Sequence, residues 1–321
     1  MPMKNRLAVI TALCALTVMV CCPSQALASA RYGLDLCARV IVPSLLPFFV
    51  VTSLLSELGL PRHLGRRLTP IMSELFGVSG AGCAAFILGV TGGYPLGAAA
   101  VADMRAKGDI SREEGENLLA FCNNSGPAFI IGAAGIGVFG SSGAGLLMYF
   151  SHIAAAVMAG ALLTRGKADA ASPPPVLAGA VGLSSALPDA VKRSVVSVLN
   201  VCGFVVIFSV LTGLLDAGGF FSLLTGVISA RTGLQLHFVR SFLTGILELG
   251  SGIGSMQGLS LTPANLSLAS FILGWGGISV HFQTMAVLSG SDVKGARHFA
   301  GRLLSGAISA AISFLLGGLF F

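Results

Sequence analysis

Charge is what this chain has least of. Only 10% of its residues are Asp, Glu, Lys or Arg, against about 25% in a soluble domain. So few charges cannot cover a water-facing surface, which excludes a soluble globular protein. The signatures of common enzyme chemistry are also missing. The sequence has no GxSxG, no HExxH, no phosphate loop ending in Lys-Ser/Thr and no paired metal-ligand spacing. The Gly-rich string 132–143 follows no strand and has no Lys-Ser/Thr after it, so it does not cradle phosphate. The seven cysteines form no CxxC pair and are scattered through apolar stretches, as expected of small buried hydrophobes. No basic stripe is interleaved with aromatics, so a nucleic-acid partner is not expected. These absences give no enzyme reading and call for no cofactor and no metal.

Apolar length is what the chain does have. It is 54% hydrophobic, with a mean hydropathy of +0.88 and 43 glycines. Stretches of about 18 apolar residues or more recur, as in an all-α polytopic membrane protein. Glycine at this level suits close helix packing and broken helices. The apolar segments run at 6–27, 34–58, 82–104, 115–140, 143–164, 191–216, 234–259, 263–289 and 297–320. The first reads as a retained helix; Ala26-Leu27-Ala28 leaves a cleaved signal-like segment as the alternative. The expected location is the cell membrane, crossed several times, with the lipid bilayer as the main partner. An oligomer is compatible with the sequence.

The net charge of +6 reports basic cytoplasmic loops. The clusters are Lys4/Arg6, Arg62/Arg66/Arg67, Arg105/Lys107/Arg112, Arg165/Lys167/Lys192/Arg193 and Lys294/Arg297/Arg302. Not all can be cytoplasmic if 82–104 spans the bilayer. A re-entrant hairpin turning at Thr91–Pro95 removes the conflict, because each arm of about ten residues is too short to cross a core of about 30 Å. The same reasoning makes 234–259 a hairpin entering from the opposite face.

The chain also repeats itself at an offset of about half its length. Pro47–Leu55 aligns with Gly203–Leu211, and Phe86-Ile87-Leu88-Gly89 with Phe242-Leu243-Thr244-Gly245. A Gly-rich interruption follows in each copy. Together with the charge pattern this predicts two inverted-topology repeats, each with a re-entrant helical hairpin and a broken transmembrane helix. The expected organisation is an N-terminal helix (1–30), repeat one (31–164), a cytoplasmic linker (165–190) containing Ser172-Pro173-Pro174-Pro175, and repeat two (191–321). Matched interruptions in two halves point to a transporter binding site near the midplane.

Polar groups at these interruptions are the candidate site. The first hairpin tip carries Thr91, Gly92, Gly93, Tyr94 and Pro95. Segment 115–140 is broken by Asn123, Asn124 and Ser125 before Gly126-Pro127. Glu248 and Ser251 lie in the second hairpin; an acid at that depth costs on the order of 3 kcal/mol unless it is protonated, ion-paired or cation-bound. Glu248 is therefore the candidate coupling site for a proton or sodium ion, with an ion pair to Arg240 as the structural alternative. Ser279, His281 and Gln283 follow Gly276-Gly277 in segment 263–289. His152 and Tyr149 read as structural, and His298 lies near a segment end.

Four stretches carry a family likeness: Pro43–Phe49, Gly93–Ala98, Glu113-Glu114-Gly115 with Phe121–Pro127, and Gly276–Gln283. In this order they resemble the YlbJ-like sporulation integral membrane proteins of the nucleoside-recognition, or Gate, group. The second hairpin keeps that family's acid as Glu248, while Gly250-Ser251 replaces its usual Thr-Asn. The resemblance implies membrane transport of a small organic anion during sporulation, with dipicolinate as the leading solute. A nucleoside transporter, or a gate or scaffold subunit that transports nothing, is the alternative.

Overall fold

The computed structural model describes residues 3–164 and 182–321, and all its regular elements are helical. Most of the expected 165–190 linker lies outside the described residues. Helix α1 (Met3–Cys21) turns through 105° into a helical run formed by α2 (Pro23–Leu36), a π-helical turn (Cys37–Ile41) and α3 (Val42–Glu57). Then come α4 (Leu60–Phe76), α5 (Gly82–Gly92), α6 (Leu96–Ala106) and α7 (Arg112–Leu119). Helical geometry is lost over 120–126 and returns as a π-helix (Ala128–Val138) and α8 (Ser142–Thr164). The rest is α9 (Leu183–Ala217), α10 (Phe220–Thr232), α11 (Leu236–Leu247), α12 (Leu249–Gly254), α13 (Pro263–Trp275), α14 (Gly277–Leu288) and α15 (Ala296–Phe320). The order of elements therefore recurs: long helical run, short helix, two short helices meeting at a break, broken helix, full-length helix.

Local sequence sets the boundaries. Ser111 caps α7, its Oγ accepting from Glu114 N at 3.1 Å. Thr262 caps α13 with Pro263 at the first helical position, and Gly77 ends α4 in the left-handed conformation (φ +58°). Stretches 59–81 and 217–233, which lie outside the apolar segments, form α4 and α10.

Packing follows from small residues. A methyl group on Gly274 would sit 2.6 Å from Gly306 Cα, and one on Gly301 would sit 2.0 Å from the Ala120 carbonyl, so α13, α15 and the end of α7 pack backbone to backbone. Ser270 and Ser313 share a hydrogen bond at this interface (2.6 Å). Four helical stretches are long and apolar enough to cross a membrane: α8, α9, α13 with α14, and α15; the bent α1–α2 pair makes a fifth. Large apolar side chains such as Leu199, Ile207, Leu223 and Leu315 are exposed, as expected where lipid is the solvent.

Ion pairs collect the basic loops at one end of the bundle. Glu57 accepts from Lys107 (3.2 Å) and Arg193 (2.6 Å), Arg105 clasps Asp292 through two bonds of 2.9 Å, and Arg297 faces Glu113. Asp216 and Arg240 pair at 2.7 Å near the other end of α9. Arg193 and Asp216 are roughly 35 Å apart at the helical rise of 1.5 Å per residue, close to the thickness of a bilayer core. Arg302 breaks the charge pattern: it lies six residues inside α15, fully buried, and does not belong to a loop.

Candidate functional site

The breaks of the two halves come together in pairs at the centre of the molecule. Gly93, with φ +93°, lies against Gly126: a methyl group at 93 would be 3.0 Å from Gly126 N. In the other half Gly277, with φ +79°, lies against Leu249 and Glu248, its added methyl 3.0 Å from Leu249 N. Only glycine allows both these conformations and this closeness. Tyr94 crosses between the halves, its Oη donating to the carbonyls of Leu273 (3.1 Å) and Gly274 (3.3 Å) at the end of α13.

A cavity of about 90 Å³ opens beside these contacts. Gly92, Gly93, Tyr94, Ser125, Glu248 and Gln283 supply its polar and backbone wall, and residues such as Leu45, Val201 and Val205 its apolar wall. It has room for a few waters and is smaller than the roughly 300 Å³ at which ligand pockets begin. Two larger spaces flank it. One, of about 120 Å³, lies among Phe49, Thr52, Glu57, Leu96, Arg193 and Ser197. The other, of about 370 Å³, lies among Gln25, Tyr32, Thr212, Asp216, Arg240 and Ser251. The α2–α3 run and α9 line all three spaces, in opposite order along their sequences. The central cavity therefore lies between the two end spaces, at the level of Val201–Val205 near the middle of α9.

Glu248 is buried, 4% exposed, and its carboxylate caps α12: Oε1 accepts from Gly250 N at 2.9 Å and Oε2 from Ser251 N at 2.5 Å. The expected alternative, an ion pair with Arg240, does not form, because Arg240 pairs with Asp216. Nor is this half-helix start free for a substrate anion: the chain's own carboxylate fills it.

The other predicted residues divide. Asn123 and Asn124 are fully buried but do not line the cavity. Asn123 accepts from Ala98 N (3.4 Å) and donates to Thr284 Oγ1 (2.9 Å). Asn124 donates to the Phe121 carbonyl (2.7 Å) and accepts from Arg302 Nη1 (2.8 Å). A buried amide left unpaired is costly, and these bonds join both broken helices, α6 and α15. Pro95 is buried behind the tip. Thr91 is exposed and donates to its own helix at the Ile87 carbonyl. Ser251 lines the larger flanking space. Ser279 is buried and accepts from Gln283 Nε2 at 3.2 Å. His281 sits away from the cavity, stacked on Phe299 (3.9 Å) and edge-on to Trp275 (4.3 Å).

Residues the sequence reading left aside complete the centre. His152 Nε2 accepts from Ser125 N at 3.1 Å and Tyr149 Oη donates to the Val90 carbonyl at 3.0 Å, so both hold the breaks in place. His298 is fully buried, 5.0 Å from His281, not at a loose end. Arg302 donates to Asn124 Oδ1, the Ala120 carbonyl (3.3 Å) and Ser305 Oγ (3.3 Å). A signal for both existed: His298, Gly301, Arg302, Ser305, Ser309 and Ser313 form a polar and small-residue stripe at helical spacing, which marks a packed face.

The Gate family profile, described as nucleoside recognition, matches residues 38–184. The sporulation integral membrane protein YlbJ of Bacillus subtilis (strain 168) is 32% identical, over 92% of this chain and 78% of its own length. No solved structure matches the chain.

Proposed function

The chain belongs to the family of the sporulation integral membrane protein YlbJ, and from that membership we propose that it carries a small organic anion across the membrane, with dipicolinate as the leading solute. In this reading α5–α6 and α11–α12 are re-entrant hairpins of two inverted repeats, 31–164 and 191–321. The central cavity is the solute site and the flanking spaces are its two approaches. The observation that carries the proposal is the alignment of three spaces along two antiparallel helical runs, with both breaks at the middle one. Half-helix breaks at the midplane are how secondary transporters build their sites. The central cavity is smaller than the proposed solute, so the tips must part to admit it.

Glu248 has the coupling role. A proton or sodium ion on its carboxylate weakens its hold on Gly250 N and Ser251 N and lessens repulsion of an incoming anion. The test is uptake of labelled dipicolinate into proteoliposomes. Wild-type protein takes it up and Glu248→Gln is slower by about tenfold or more, the scale of one lost charged hydrogen bond. Equal uptake by both removes Glu248 from the mechanism, and no uptake of any anion in a panel removes the transport proposal. A nucleoside is the less favoured solute, suggested by the family's description alone.

A further inference from the structure

Arg302 is the one fully buried cation among the described residues, and no carboxylate lies within ion-pair distance of it. Its partners are three neutral oxygens, and its Nε has none. Its charge is felt by Tyr94, Cys122, His152, His281 and His298, none of them a carboxylate. A guanidinium taken out of water without a counter-ion is strongly disfavoured, and the neighbouring oxygens accept from Nη1 and Nη2 without cancelling its charge.

Only a thin wall separates this charge from the central cavity. Asn124, which holds Nη1, adjoins cavity-lining Ser125, and Tyr94 both lines the cavity and lies within reach of the guanidinium. A low-dielectric wall transmits the field of a fixed charge with little screening. On the cavity side, the negative charge of Glu248 is held by two amides.

We propose that Arg302 is the counter-charge that makes the central cavity select an anion, acting through the Asn124–Ser125 bend and Tyr94 as a specificity-determining residue. The inference rests on the transport reading above, and it narrows the solute class to compact carboxylates. One fixed positive charge lies behind the wall that the solute meets, and that wall carries backbone, hydroxyl and amide groups together with the Glu248 carboxylate, which the amides of Gly250 and Ser251 hold.

The experiment compares two probes of one shape, pyridine-2,6-dicarboxylate and the neutral pyridine-2,6-dicarboxamide, by calorimetry on the full-length protein in nanodiscs. Wild-type protein is expected to prefer the dicarboxylate. Arg302→Gln should lose about tenfold or more in dicarboxylate affinity while diamide binding stays within about twofold, and Arg302→Lys should keep the preference in part. Asn124→Asp places a carboxylate where Oδ1 now lies 2.8 Å from the guanidinium. It should abolish the preference, and it remains informative if Arg302→Gln does not fold. Unchanged preference in the Asn124→Asp protein, or equal loss of both probes in Arg302→Gln, overturns the assignment and leaves the transport reading standing. A wild-type protein that binds the diamide better than the dicarboxylate overturns the anion reading and this assignment together.

Discussion

Gly89 and Gly97 face the same carbonyl oxygen from two sides. A methyl group on Gly89 would lie 1.6 Å from the Cys122 oxygen and one on Gly97 would lie 2.0 Å from it. Alanine favours a helix interior by about 1 kcal/mol over glycine, whereas overpacking against rigid backbone costs up to about 3 kcal/mol, so the clash wins. Gly89→Ala should therefore lower the thermal midpoint in detergent. Gly203→Ala, in the middle of α9 with nothing within 4 Å of the added methyl, should raise it slightly. If both glycines respond alike, the close approach at Cys122 is not what holds the first hairpin. At this scale the sequence showed the acid and the glycines clearly and hid the base. Glu248 stands out because it interrupts an apolar stretch, while Arg302 follows Lys294 and Arg297 and so reads as part of a loop. Only the helical stripe around it reveals that it points inward.

Helix ends are tied together by charges from both halves of the chain. The Arg105–Asp292 clasp joins the end of α6 to the loop before α15. The two-point hydrogen bond from Arg105 holds the Asp292 carboxyl below the usual carboxylate range. A lowered pKa means the clasp favours the folded state above the ordinary carboxylate range and stops doing so as pH falls through the lowered value. Asp292→Asn should thus reduce the thermal midpoint a little at neutral pH, and the gap to wild type should close in acid; a gap that persists in acid would show that lost packing, not lost charge, is responsible. The break positions at 93, 126, 248 and 276 were legible because Gly and Pro interrupt apolar runs there. Helices α4 and α10 were not, because one is amphipathic and the other short, and neither yields a full-length apolar stretch.

For the whole molecule, the charge pattern and the repeated element order both support the proposed inverted topology, in which α5–α6 and α11–α12 are the two hairpins. Glu74 and Glu113 flank the first hairpin, and Arg231 and Gln257 the second; all four are exposed. Single cysteines at these sites in a cysteine-free protein should react with an impermeant thiol reagent in pairs. Those at 74 and 113 should label from one face of a sealed vesicle and those at 231 and 257 from the other. Labelling of 74 and 113 from opposite faces would make α5–α6 a span and end the inverted-repeat proposal.

The pairs Glu57–Arg193 and Asp216–Arg240 lie at two fixed heights on one rigid helix. They act as collars, and the apolar belt between them must match the hydrocarbon layer outside. In a thinner or thicker bilayer the mismatch is relieved by tilting α9. Because α9 lines all three spaces, tilt would move them out of line with one another. On the transport proposal, the lipid around the protein, as well as the solute, therefore bears on whether the path is continuous.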